Sequence, residues 1–350
     1  MALLQMKEET VMRELRDMLL RPWTALCLLC ACAAVLFSVS ACKQESPEPG
    51  EDTQLRMAVI PKGTAHPYWK SVHAGAEKAA DEFDVKTFWV GAENENDRQG
   101  QIEIVQNFIS RQVDAIVLAP LDKVALARPV EAAVAQGIPV IIIDSGLDSD
   151  AQSSFVATDN KKGGKMGARR LAEIMGDKGR AIMMRYMPGS ASTGNREEGF
   201  MEEMKQNHPD IELVSTDQYG GATKESAFKT GQDLLNKYPD IDGVFCPNES
   251  SAFGMLRALE TKGMAGKVKY VGFDASESLV SGLREGAIQG LVAQDPFTMG
   301  YEGVKTAVDV VKGKKVPERV RTRTVVVTPE NVDDEEIQKI INPPIDKWLK

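Results

Sequence analysis

The chain has 350 residues, with 51 acidic against 42 lysine and arginine, a formal net charge of −9, 43% hydrophobic and 27% charged residues. That balance is globular, with room for about two domains of ordinary size, and the acidic surplus speaks against general nucleic-acid binding, because neutralising phosphates takes an excess of lysine and arginine. With 29 glycines and 17 prolines the chain is not collagen-like, five cysteines are too few for a disulfide scaffold, and a single long uncharged apolar run excludes a multi-pass membrane protein.

That run comes first. Residues 23–41 carry no charge and follow Arg21, so a basic flank, an apolar core and small residues appear in the order of a secretory signal. The run ends Val39-Ser40-Ala41-Cys42, which resembles the bacterial lipobox. The resemblance implies cleavage before Cys42 and diacylglycerol on its thiol, giving a membrane-anchored lipoprotein in the periplasm or at the cell surface. An uncleaved anchor is the alternative, since about 20 apolar residues span a bilayer. Cys27 and Cys30 lie inside the apolar core and have no second Cys or His pair to complete a zinc site. Residues 1–20 mix Lys7, Arg13 and Arg16 with Glu8, Glu9, Glu14 and Asp17; translation from Met12 or Met18 would restore the positive start that signals carry. Residues 42–53 read as a lipidated tether rich in Pro, Glu and Ser. The body beyond has one cysteine, Cys246, which reads as a small buried strand residue.

From residue 56, short β-rich runs alternate with longer segments of helical period. Strands are expected at 56–61, 85–90, 115–119 and 139–143, with helices at 67–83, 97–111 and 129–136. The unit then restarts, with strands at 154–157, 180–184, 211–215, 243–246, 268–273 and 291–294 and helices at 160–175, 195–208, 223–238, 250–262 and 276–285. A helix at 298–312 and an extended run at 319–327 close the pattern. Runs such as AIVLA and PVIII are apolar without alternation, the mark of parallel strands buried on both faces. The expected fold class is α/β, with two doubly wound parallel-sheet lobes. Right-handed crossovers place every loop that follows a strand on one edge of its sheet, where small ligands bind.

Residues at those edges are therefore the candidates for function. The first strand is followed by Thr64-Ala65-His66-Pro67-Tyr68-Trp69, and the strand 139–143 by Asp144 and Ser145. Arg196 stands near a helix start, Asn248 follows GVFCP, Asp274 follows YVGF and Gln294 ends GLVAQ. Aromatic faces suit the C–H face of a sugar ring, and Asp, Asn, Gln and Arg offer hydroxyls planar, directional partners. Each also has an ordinary structural reading: Asp144 or Asp274 as a helix N-cap, Asn248 as the cap of the next helix, Arg196 as a solvated helix residue, Tyr68 and Trp69 as a core edge. Tyr186 and Trp89 read equally as cleft lining or strand-end packing, and Gly163-Gly164 as a packing site. His66, His73 and His208 show no metal spacing, no phosphate-binding or triad pattern appears, and no cofactor is expected.

In this order and spacing the motifs resemble the bacterial periplasmic sugar-binding proteins of the ribose/galactose-binding type, which have the periplasmic binding protein type I fold. The pieces are AHPYW with His66, PVIIID ending at Asp144, ATDN with Asp159, REEGF opening on Arg196, PNE with Asn248, VGFD with Asp274 and VAQDP with Gln294, and the match covers 56–327. The resemblance implies that Tyr68 and Trp69 stack on one face of a pyranose and Tyr219 on the other. It places His66, Asp144, Ser145, Arg196, Asn248, Asp274 and Gln294 around the ring hydroxyls. The family typically has Asn where His66 stands, and ribose binders have Arg where Ser145 stands, so ribose itself is not assigned.

The same resemblance implies a monomeric binding protein and no enzyme, with a monosaccharide as ligand and an ABC transporter permease as partner. A membrane sensor would use the same closed form on a different partner. The lobes are expected to be discontinuous, 54–158 with 295–321 and 159–294 with 322–342, before a tail at 343–350. A carbohydrate-active enzyme would need one carboxyl of the Asp144–Asp274 pair raised in pKa, whereas Arg196 and the neighbouring amides are expected to hold both ionised. A lipobox leader in place of a DNA-binding helix-turn-helix speaks against a transcriptional repressor.

Overall fold

The computed structural model describes residues 54–64 and 66–349; the leader 1–41, Cys42 and the tether 42–53 lie outside the described residues. Among the described residues no helix is long and apolar enough to cross a membrane. One six-stranded sheet joins β1 (Leu55–Ile60), β2 (Val85–Trp89), β3 (Ala115–Leu118), β4 (Val140–Ile143), β5 (Ser154–Ala157) and β11 (Arg319–Arg321) in the order β11-β5-β4-β3-β1-β2. A second joins β6 (Gly179–Met183), β7 (Ile211–Ser215), β8 (Gly243–Phe245), β9 (Lys269–Phe273), β10 (Gly290–Gln294) and β12 (Thr324–Val327) in the order β12-β10-β9-β8-β6-β7. All neighbours are parallel except β10 and β12. The two orders are the same once β1 is matched to β6, so each lobe repeats the other's topology.

Helices cover both faces of each sheet: α1 (Pro67–Phe83), α2 (Arg98–Ser110), α3 (Ala127–Ala135), α4 (Asn160–Met175), α5 (Ala191–Asn207), α6 (Lys224–Lys237), α7 (Glu249–Thr261), α8 (Glu277–Arg284) and α9 (Pro296–Val311). Alternate residues of one strand enter different cores. Ile141 and Ile143 pack with Trp69 and Val72 of α1 and Val304 of α9, while Val140 and Ile142 pack with Phe108 of α2 and Val130 of α3. Both faces are thus apolar, which is why these strands read as unbroken hydrophobic runs. In the second sheet Ile182 and Val244 face Leu234 and Leu259, and Ala181 and Met183 face Leu171 and Phe200.

The chain passes between the sheets three times within the described residues, through α4 after β5, through α9 after β10, and directly from β11 to β12. The two crossing helices start alike, with Asp159 accepting from Lys162 N–H at 3.2 Å and Asp295 from Thr298 N–H at 3.0 Å. They also pack alike. A Cβ on Gly300 of α9 would stand 1.9 Å from the Val72 carbonyl oxygen of α1, and one on Gly164 of α4 would stand 1.9 Å from the Arg196 carbonyl oxygen of α5. The Gly163-Gly164 pair is thus a close helix–helix contact.

The structure departs from the sequence reading in three places. Helix α5 begins at Ala191, four residues before the expected 195, and brings Ser192 and Thr193 into its first turn. The run 319–327, read as one extended stretch, is two strands in different sheets with a gap at Thr322 and Arg323, next to the expected lobe boundary at 321/322. Two further helices follow, α10 (Glu335–Ile341) and α11 (Ile345–Trp348), the second within what was expected to be a plain tail. Cys246 is fully buried beyond β8, and burial pushes its thiol up to about 12, so it stays protonated and inert.

Candidate ligand-binding site

The C-terminal edges of the two sheets face each other across one cavity. Asp144, just beyond β4, and Asp274, just beyond β9, occupy equivalent positions. Both have left-handed backbones, at φ 60° and 71°. Their N–H groups donate to Val156 and Val292 carbonyls at 3.1 and 2.9 Å, so each strand is still paired where the chain swings out. Asp is among the few residues that adopt this conformation without glycine.

His66, Tyr68, Trp69, Asp144, Arg196, Asn248, Asp274 and Gln294 all line this cavity. Tyr68 Oη donates to Asp144 Oδ1 at 3.0 Å. Trp69 is nearly buried, its Nε1 donates to Glu95 Oε1 at 2.6 Å, and its ring meets that of Tyr68 edge-on at 87°. In this arrangement the two rings do not present parallel faces to one side of a flat ligand. Arg196 is 2% exposed, not solvated. Its guanidinium lies 3.9 Å over the Phe273 ring and donates to Asn160 Oδ1 at 2.8 Å and the Pro247 carbonyl at 2.9 Å. Asp274 accepts from Gln294 Nε2 at 2.7 Å and Glu249 N–H at 2.9 Å, with Arg196 Nη1 at 4.0 Å. Asn248 both lines the cavity and caps α7, its Oδ1 accepting from Ser251 N–H at 3.4 Å. His66 Nδ1 and Gln294 Oε1 are buried with no partner among the described residues.

Two expected residues are placed elsewhere. Tyr219 is 42% exposed and sits in a surface hollow beside Arg185, whose Nη1 donates to its hydroxyl at 3.3 Å. A bridge between Arg185 and Tyr219 prolongs the β6–β7 pairing and carries the ring to the surface, away from the cavity. Ser145 is fully buried and its Oγ accepts from Ser192 N–H at 3.1 Å, a tie between the lobes and not part of the cavity wall. Trp89 is also outside the cavity, stacked on His73 at 4.3 Å.

Sequence reasoning missed Lys62, Glu95, Ser192, Thr193 and Glu249, and left Tyr186 open; all six line the cavity. Lys62 Nζ lies 2.7 Å from Asp144 Oδ2 and donates to Ser192 Oγ at 2.9 Å. Glu95 takes the Trp69 indole from one lobe and the Tyr186 hydroxyl from the other. Glu249 accepts from Tyr68 N–H at 3.3 Å, again across the lobes. Lys62 stands two residues beyond β1 and Glu249 lies inside the PNE motif, so the strand-end rule held the signal for both.

Burial dominates the electrostatics. It carries the Asp274 carboxyl above the usual range, and Arg196 and Gln294 pull the other way without cancelling it. This corrects the expectation that Arg196 and the amides prevail there. Burial likewise raises Glu249 and lifts the Tyr68 phenol well above its ordinary value, so Tyr68 remains a neutral donor.

The periplasmic binding protein domain model matches residues 57–315. The chain belongs to that family. The ribose import binding protein of Bacillus subtilis is 29% identical over 292 residues, spanning 81% of this chain and 93% of that one. The D-allose-binding periplasmic protein of Escherichia coli is 29% identical over 267 residues, 74% of this chain and 85% of that one. Among solved structures, a carbohydrate transporter solute-binding protein from Agrobacterium radiobacter in complex with D-arabinose is 38% identical, with a TM-score of 0.81, covering 83% of this chain and all of that one. An ABC transporter solute-binding protein from Agrobacterium vitis bound with α-D-tagatopyranose is 32% identical, with a TM-score of 0.79, covering 82% of this chain and 99% of that one. These are substrate-binding transport proteins, so this periplasmic binding protein is a sugar-binding solute protein and not an enzyme.

Proposed function

We propose that the protein is the lipid-anchored solute-binding component of an ABC importer, which captures a monosaccharide by lobe closure and presents the closed form to its permease as a monomer. The observation that carries this is the doubled wall: Asp144 and Asp274, at equivalent strand ends of two lobes, face one cavity that also holds Tyr68, Trp69 and Arg196. The lobes are 54–158 with 295–321 and 159–294 with 322–342, hinged between Thr158 and Asp159, Gln294 and Asp295, and Thr322 and Thr324. In the present arrangement the cavity holds about 30 Å³, space for a water or two. A pyranose enters as the lobes part and takes over the partners of Asp144 and Asp274. A ligand that touches both walls favours the closed state by its differential affinity. Relatives that bind ribose, allose, arabinose and tagatose make aldopentoses and hexoses the first classes to test.

The test is a thermal-shift screen across pentoses, hexoses, deoxysugars and polyols. A sugar at 100 times its Kd raises stability by about 2.7 kcal/mol; no shift with any of them would sink the monosaccharide reading. The anchor rests on the sequence of the leader. Cys42→Ala should accumulate unprocessed precursor without lipid label, and normal processing would refute it.

A further inference from the structure

Beyond β12 the chain runs through α10, which is fixed in the second lobe: Ile337 and Ile340 are buried with Leu291 and Val327 of that sheet. After three intervening residues, 342–344, the chain has reached the first lobe, where α11 packs on α1. Ile345 and Leu349 wall a hollow whose other side is Trp69, Lys70 and His73 in the first two turns of α1. Trp69 is shared, since it also lines the ligand cavity. The segment is ordered by its own bonds, with Leu349 N–H donating to the Ile345 carbonyl at 3.0 Å. The three covalent passages between the sheets lie at the ends of β5, β10 and β11. The C-terminal segment adds a non-covalent link that rests on the helix carrying Tyr68 and Trp69.

Its reach is short. From Ile341 to Ile345 there are four peptide units, at most about 14 Å when fully extended, and Pro343 and Pro344 restrict the backbone further. Lobes that separate beyond that reach at this point must strip α11 from α1. We propose that residues 343–349 are a positioning strap for the binding cleft: docked on α1, they favour the closed arrangement and hold the Trp69 wall, and they undock when the cleft opens. The ligand arm of the test rests on the sugar-binding reading; the exchange arm does not.

The experiment compares the full chain with a version ending at Asn342, with Ile345→Asp, and with the conservative Ile345→Leu. Hydrogen–deuterium exchange is followed without sugar in residues 186–196, whose Tyr186, Ser192, Thr193 and Arg196 line the ligand cavity and which have no part in the hollow walled by Ile345 and Leu349. If undocking lowers the closed population tenfold, exchange there rises and Kd for the screened sugar rises by about the same factor, because apparent affinity scales with the competent fraction. Ile345→Leu restores both. Wild-type exchange at 186–196 in folded Ile345→Asp overturns the strap. If wild type binds no sugar in the screen, the ligand assignment fails, and the exchange comparison still decides the strap.

Discussion

Replacing Asp274 by Ala tests the site at its most connected point. The carboxylate accepts from Gln294 Nε2 at 2.7 Å and Glu249 N–H at 2.9 Å, and Arg196 Nη1 stands 4.0 Å away. Truncation leaves two buried donors unpaired and removes the charge that a ligand hydroxyl would meet. Losing one member of a buried charged contact costs about 2–5 kcal/mol in binding, or roughly 30-fold to 4,000-fold in Kd. The fold should survive. Arg196 keeps Asn160 Oδ1 at 2.8 Å and the Pro247 carbonyl at 2.9 Å, and removing a buried carboxylate relieves its own desolvation. Asp274→Asn, which retains an acceptor oxygen, should fall between wild type and Ala. Calorimetric titration with the sugar found by screening reads the affinity, and urea unfolding checks the fold. A folded Asp274→Ala protein that binds that sugar like wild type would refute the reasoning.

A second prediction concerns pH. Asp274, Glu249 and Glu197 are all raised by burial, so the folded state keeps protons that the unfolded chain, with carboxyl pKa values near 4, has lost. Their effect on stability therefore declines as pH rises through that window: the sugar-free protein should be more stable to urea at pH 5 than at pH 7, and Asp274→Asn should flatten the trend. Stability that climbs from pH 5 to 7 contradicts it. A third compares two helix glycines. Gly300→Ala forces a Cβ to within 1.9 Å of the Val72 carbonyl oxygen and should destabilise by about 1–3 kcal/mol, whereas Gly194, with nothing within 4 Å, should gain up to about 1 kcal/mol as Ala. Equal urea midpoint shifts in the two variants would show that the α1–α9 contact is not tight.

The sheets were legible because burial on both faces leaves a mark in sequence: Val140-Ile141-Ile142-Ile143 has no polar residue to spare and is buried throughout. What escaped depends on tertiary partners. Residues 191–194 (ASTG) carry no apolar period, so the start of α5 was invisible although it brings Ser192 to Lys62. Residues 319–327 are extended throughout, so no local pattern separates β11 from β12; the expected lobe boundary at 321/322 came from the family resemblance, and the break shows in the strands each half pairs with. For α10 a signal existed, Asp334 followed by Glu335 and Glu336, the acidic first turn of a helix. In the site, residues just beyond strands could be read by position, Lys62 among them, but Glu95 looks like an ordinary solvated charge until Trp69 and Tyr186 are placed beside it. Tyr219 failed for the complementary reason: a strand-pairing bridge, which no local pattern announces, turned it outward.

The doubled aspartates constrain how binding and lobe movement must be linked. Asp144 faces Asp274 across the cavity, and its charge raises the cost of ionising Asp274. Their compensation is unequal. Lys62 lies 2.7 Å from Asp144, whereas Arg196 is 4.0 Å from Asp274 and divides its donors between Asn160 and a backbone carbonyl. Asp274, which burial leaves above its usual range, has room for a further donor. A ring hydroxyl directed at it, on a ligand whose other hydroxyls meet Asp144, would relieve both the desolvation of Asp274 and the repulsion between the walls. Under the proposed reading the ligand then supplies what brings two like-charged walls together, so affinity and closure are one equilibrium. Discrimination follows from the same geometry, because an epimer with its hydroxyl turned away closes the walls on a carboxylate left unpaired.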